Sequence, residues 1–188
     1  MRTATWHRSR RRRSPLGTVL TLVAIALIAS LAAWLTPPGP ALTGQAVAVD
    51  GDTIKVSGVR IRLLGFDAVE LDQSCTRDSG ETWECGRAAR AFVAKAVEGG
   101  DVSCSREGRD RYGRVLARCR VGDTDLGTRI VAAGWAVADL EYALPLAEAR
   151  IERAGIWSGS FTDPADWRRQ KNDAEFDFLG WLLGLFNR

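Results

Sequence analysis

Three short polar clusters hold the residues able to do chemistry: Asp50-Gly51-Asp52-Thr53, then Arg62 with Asp67 and Glu70, then Asp110-Arg111-Tyr112-Gly113-Arg114. Carboxylates and carbonyls are the ligands a hard cation such as calcium prefers, and arginines give paired hydrogen bonds to phosphate oxygens. Cleaving a phosphodiester requires its negative charge to be neutralised, a water to be activated and the leaving oxygen to be stabilised. Acids interleaved with arginines supply those three things. Two carboxylates alone would also equip a glycosidase, but that reading leaves the arginines beside them unexplained. The single histidine, His7, lies in the N-terminal basic segment. Histidine-based nucleophiles, HExxH zinc chemistry and histidine nucleases are therefore excluded from the body of the protein.

The elements that must position these clusters are read from periodicity. Val47 to Val49 and Thr53 to Val56 are short β-type runs about Asp50-Gly51, a hairpin turn signal. Val59, Ile61 and Leu63 alternate with Arg60, Arg62 and Leu64, so a third strand sets its apolar residues on one face and two arginines on the other. Ala89, Phe92, Val93, Ala96 and Val97 share one helix face, and Gly99-Gly100 ends that helix. Strands near Val102 and from Val115 to Val121 flank the Asp110-Arg111-Tyr112-Gly113 turn. A second helix is expected from Asp125 to about Gly134, and a third from about Leu146 to Ala154 with Gly155 as its stop. Five strands with a helix inserted before the last two, followed by helices, predict a small α+β fold around a five-stranded barrel.

Asp-Gly-Asp-Thr, Arg-Leu-Leu-Gly-Phe-Asp-Ala-Val-Glu and Asp-Arg-Tyr-Gly-Arg, in this order and separated by a helical insert, closely resemble the staphylococcal nuclease (thermonuclease) family. Gly134-Trp135-Ala136 and Gly155-Ile156-Trp157 resemble the family's later helices, so the likeness spans about residues 44 to 160. The resemblance implies an OB-type β-barrel with three helices and a calcium-dependent phosphodiesterase of DNA and RNA. It implies Asp52 and Asp67 as calcium carboxylates, the main-chain carbonyl of Ala68 as a third ligand, and Glu70 as general base. Arg62 and Arg114 match the arginines on the scissile phosphate, Arg111 and Tyr112 their neighbours at the nucleotide site, and Tyr142 a base-stacking tyrosine. Val69 stands where the family often has a proline that would stiffen the approach to Glu70. The alternative within the same fold is a non-catalytic nucleic-acid-binding module.

The chain has 188 residues and a formal net charge of +3, with Arg2, Arg8 and Arg10 to Arg13 crowded at one end. Beyond residue 40 there are 20 basic against 23 acidic residues, so global charge gives no reason to expect nucleic-acid binding. Leu16 to Leu35 is a run of twenty residues without a charge, followed by Pro37, Pro38, Gly39 and Pro40. The organisation expected is a basic cytoplasmic tail at 1–15, a transmembrane signal-anchor or signal helix at 16–35, a linker at 36–43, the nuclease-like domain at 44–160 and an extension at 161–188. The body would then lie outside the cytoplasm, held to the membrane or secreted.

An exported body favours disulfides for its four cysteines. Cys104 and Cys119 are symmetric about the centre of the 110–113 turn, so an antiparallel hairpin sets them opposite each other, leaving Cys75 to pair with Cys85. At the far end Phe176, Phe178, Leu179, Trp181, Leu182, Leu183, Leu185 and Phe186 form an apolar tail too short to span a bilayer. That tail reads as a helix packed on the barrel or an interfacial helix on the membrane.

Overall fold

A computed structural model of the protein describes residues 15–35 and 41–174, with side chains placed at 17–31 and 41–174. The expectations for the basic tail, the Pro/Gly stretch and the apolar C-terminal tail lie outside the described residues. The chain divides into two units, 1–37 and 38–188.

The first unit holds helix α1, Pro15–Leu35, in the position expected for the signal-anchor. Its described side chains are exposed, with Leu20, Leu27 and Ile28 among them, and no face is polar. The expected transmembrane span is not met, however: among the described residues no helix is long and apolar enough to cross a membrane.

In the second unit β1 (Leu42–Gly44), β2 (Ala46–Ala48), β3 (Thr53–Val56) and β4 (Val59–Leu63) precede β5 (Phe66–Ala68), β6 (Cys75–Arg77) and β7 (Thr82–Trp83). Helix α2 (Cys85–Val97) leads to β8 (Val102–Arg109), β9 (Val115–Val121) and β10 (Thr124–Asp125). Helix α3 (Leu126–Ala132), β11 (Ala136–Ala138), α4 (Ala143–Ile151) and β12 (Gly159–Ser160) follow, and α5 occupies residues 164–174.

The main sheet runs β1-β8-β9-β4-β3-β2, with β10 added to β9. All pairs are antiparallel except β4 with β9, where Ile61 lies against Val115. The two ends of that path, β1 and β2, are separated in sequence by Gln45 alone, so the sheet must curl back on itself. The five strands read from the sequence are β2, β3, β4, β8 and β9 of this path, and β1 extends it beyond β8. Two small ladders, β5 with β11 and β12-β6-β7, lie outside it.

The interior follows the strand alternation. In β4 Ile61 and Leu63 are buried while Arg60 is exposed and Arg62 is partly covered. They meet Ile54, Val56, Val102, Val115 and Ala117, with Val93 and Val97 of α2 and Ile130 of α3 closing the core. Fully burying one such side chain contributes about 2 kcal/mol. Asp125 caps α3, its carboxylate accepting the Thr128 N–H at 2.7 Å.

Two boundaries differ from the sequence reading. The 50–51 segment is not a two-residue hairpin: Ala48 faces Ile54, and Asp50 Oδ1 accepts the N–H groups of Asp52 at 3.1 Å and Thr53 at 2.6 Å. This Asx turn holds the four-residue loop 49–52, with Asp52 as its last residue. Helix α4 begins at Ala143 after a 3-10 turn at Leu140–Tyr142, earlier than expected. Pro145 falls in its first turn, where a missing N–H costs nothing.

Both expected disulfides form. Cys104 stands directly opposite Cys119 in the β8–β9 ladder with Cα atoms 4.0 Å apart, and Cys75 joins Cys85 at 5.6 Å.

Candidate active site

The three clusters converge on one cleft. Thr53 pairs with Arg62 across β3 and β4, and the Leu63 N–H donates to the Asp52 carbonyl at 2.8 Å, so the Asp52 loop is fixed beside the Arg62 strand. Arg62 donates through Nη1 to Asp52 Oδ2 and through Nη2 to Asp67 Oδ1, the latter at 2.7 Å. Asp67 is the middle residue of β5, paired with Val137 of β11. Ala68 is buried next to it and its N–H approaches Asp52 Oδ2 at 3.4 Å.

Glu70 follows β5 and is held by its surroundings. Val69 N–H donates to the Trp135 carbonyl at 3.3 Å and Glu70 N–H to Gln73 Oε1 at 3.1 Å. The start of α2 lies against the Glu70 carbonyl so closely that a Cβ on Gly86 would collide with that oxygen.

On the facing side, Asp110 organises the turn between β8 and β9. Its Oδ1 accepts the N–H groups of Tyr112 and Arg114, both at 2.9 Å, and its Oδ2 accepts Arg114 Nε–H at 2.7 Å. Arg114 is thereby aimed while its Nη groups stay clear of Asp110. Tyr112 is 70% exposed, with Arg111 stacked 4.8 Å and Arg114 5.8 Å from its ring centre.

The resulting cleft has a volume of about 570 Å³ and is lined by Asp50, Asp52, Arg62, Glu70, Arg111, Tyr112 and Arg114, with Ala165, Arg168, Arg169 and Asn172 from α5. A larger hollow of about 680 Å³ between β2 and α2 has a single carboxylate, Glu98, and no comparable grouping of acids with arginines. Tyr142 is not part of the cleft. It is 5% exposed, its ring set edge-on to Phe66 at 5.8 Å in the core, so the expected base-stacking role is corrected to a packing role.

Electrostatics divide the two candidate ligand carboxylates. Burial pushes Asp52 up to about 7 despite the Arg62 guanidinium, and the charges of Asp50 and Asp67 push the same way. Burial also works against Asp67, but hydrogen bonds from Arg168 and Arg62 hold its carboxyl below the usual range. A buried carboxylate with too little positive charge around it is a place where a cation would be stabilised. Asp52 and Asp67 carry the oxygen donors a hard divalent ion such as calcium takes, and Arg62 bridges the two carboxylates. Among the described residues no group of three or more His, Cys, Asp or Glu side chains is placed to hold a metal ion.

Sequence reasoning missed Gln73 and Arg168, and named Asp50 in a cluster without a role for it. Asp50 shapes the Asp52 loop, Gln73 is a buried polar side chain tied to Glu70, and Arg168 of α5 donates to both Asp67 and Glu70. Asp163-Pro164 was the available signal for α5: a capping residue followed by proline at the first helical position. Asp163 Oδ1 accepts the Ala165 N–H at 2.9 Å.

The chain belongs to a known family. Residues 60–159 match the family described as Staphylococcal nuclease homologue. The chain is 34% identical over 143 residues to an uncharacterized endonuclease of Escherichia coli, covering 68% of this chain and 86% of that one. It is 36% identical over 123 residues to succinoglycan biosynthesis protein ExoI of Rhizobium meliloti (strain 1021), covering 62% of this chain and 64% of the relative's length. An uncharacterized endonuclease of Haemophilus influenzae (strain ATCC 51907 / DSM 11121 / KW20 / Rd) is 28% identical over 142 residues, covering 69% of this chain and 74% of that one.

Proposed function

We propose that the protein is a calcium-dependent nuclease that hydrolyses phosphodiester bonds of DNA, RNA or both. The observation that carries this reading is the convergence of Arg62, Arg114 and Glu70 on one cleft beside the Asp52–Asp67 pair. Membership of a nuclease family and relatives named as endonucleases support it.

In this reading Arg62 and Arg114 grip the scissile phosphate from two sides, and their hydrogen bonds strengthen as charge builds on its oxygens. Glu70 takes a proton from the attacking water as the water oxygen bonds to phosphorus in line with the 5′ oxygen. The bond to the 5′ oxygen then breaks, the released oxygen takes up a proton, and the phosphate stays on the 3′ side. Asp52, Asp67 and the Ala68 carbonyl would hold calcium. When bound, calcium supplies positive charge that offsets the phosphate's own and favours deprotonation of water. Arg111 and Tyr112 form the wall for the neighbouring nucleotide, with the exposed Tyr112 ring a surface on which a base can stack.

Full-length protein incubated with plasmid and single-stranded DNA in calcium should shorten both and leave 3′-phosphate ends. Binding without cleavage would favour the non-catalytic reading instead.

The proposed location is outside the cytoplasm, with α1 as a signal helix. Two disulfides in the body and arginines ahead of an apolar helix support it. Cell fractionation should find the body accessible to protease added from outside, and full protection of intact cells' protein would contradict it.

A further inference from the structure

Helix α5 lies beyond the segment matched by the family, yet it reaches the centre of the cleft. Arg168 Nη1 donates to Glu70 Oε1 at 2.7 Å and to Asp67 Oδ1 at 3.0 Å, and Nη2 donates to Asp67 Oδ2 at 2.7 Å. The planar guanidinium thus bridges two carboxylates that approach it from different directions, which a lysine ammonium on a flexible stem does less well. The helix carrying it is fastened to the loop after Glu70. Gln73 Nε2 donates to the Thr162 carbonyl at 2.6 Å, Trp167 Nε1 to Asp72 at 3.3 Å, and Lys171 to the same carboxylate.

The same loop is tied to the body by the Cys75–Cys85 disulfide and by the β12–β6 pairing. Gln73 holds the Glu70 main chain and Arg168 holds its carboxylate.

We infer that Arg168 is a positioning residue for Glu70, and that α5 is a working part of the active site. The inference rests on the proposed role of Glu70. A carboxylate on a stem of two methylenes sweeps several ångströms unless anchored, and a misplacement of about 1 Å at a reacting group can cost about a hundredfold in rate. Arg168 is 42% exposed in its side chain and most of the fastening of α5 is independent of it, so its removal leaves the fold intact.

The test is a double-mutant cycle on the full chain with a single-stranded oligonucleotide in calcium. Arg168→Ala should lower kcat by about tenfold to a hundredfold with KM changed by no more than about twofold, and Arg168→Lys should recover part of the loss. In a Glu70→Gln background Arg168→Ala should cost nothing further. Equal losses in both backgrounds, an unchanged kcat, or a faster Arg168→Ala enzyme with α5 acting as a latch would each overturn the inference.

A crystal structure of Arg168→Ala supplies a readout that needs no activity. The Glu70 carboxylate should leave its position while the main chain of residues 66–73 stays. An unmoved carboxylate refutes the inference, whereas an inactive wild-type protein refutes the proposed function.

Discussion

Glu70 and Gln73 are bonded to each other twice: the Gln73 N–H donates to the Glu70 carbonyl at 2.9 Å, and the Glu70 N–H donates to Gln73 Oε1 at 3.1 Å. Gln73 is 1% exposed, and its remaining amide hydrogen bond, to the Thr162 carbonyl, carries the restraint across to the C-terminal segment. One buried side chain therefore closes the turn after β5 and fastens α5 to it.

Replacing Gln73 with leucine keeps the volume and removes both side-chain bonds, the one accepted from the Glu70 N–H and the one donated to the Thr162 carbonyl. Two main-chain groups would be left without a partner, at about 1–3 kcal/mol each when buried. Gln73→Leu should therefore lower unfolding free energy by at least about 2 kcal/mol in denaturant titration and also reduce kcat. Wild-type stability would show that water satisfies these groups.

The second expectation concerns the metal. Asp52→Ala and Asp67→Ala should each weaken calcium binding in titration calorimetry. Chelator should abolish hydrolysis and magnesium should support it poorly, because an irregular set with a main-chain carbonyl suits calcium better than the near-octahedral shell of magnesium. Full activity in chelator would remove calcium from the account.

The disulfides give a third. The Cys104–Cys119 bridge closes a loop of 15 residues, for which the chain-entropy argument gives about 3 kcal/mol. Reduction should lower the melting temperature clearly, and mass spectrometry without reduction should recover the Cys104–Cys119 and Cys75–Cys85 peptides. A peptide joining Cys75 to Cys104 would contradict the β8–β9 register.

What was legible in the sequence was what is local or periodic. The alternation in β4 fixed which side Arg62 takes, the 3.6-residue spacing fixed the buried face of α2, and the symmetry of 104 and 119 about one turn fixed a disulfide. The remaining features depend on pairings between distant segments. The Arg168–Glu70 bond joins residues 98 positions apart, and no local pattern distinguishes Arg168 from the exposed Arg169 beside it. Tyr142 shows the converse problem: a tyrosine suits a base-stacking surface or a core equally well by type, and only the packing of Phe66 against its ring decides. The early start of α4 was hidden because proline stops a helix in its interior but is at home in the first turn.

The most direct test of the central claim is the calcium-dependent turnover of Glu70→Gln beside wild type, measured on the same single-stranded DNA with folding checked by circular dichroism. The amide keeps the shape of the side chain and can still accept a bond from Arg168, but it cannot take a proton from water. The account predicts an unchanged fold and a loss of at least about a hundredfold in kcat, the scale of a missing general base. Turnover equal to wild type would contradict it.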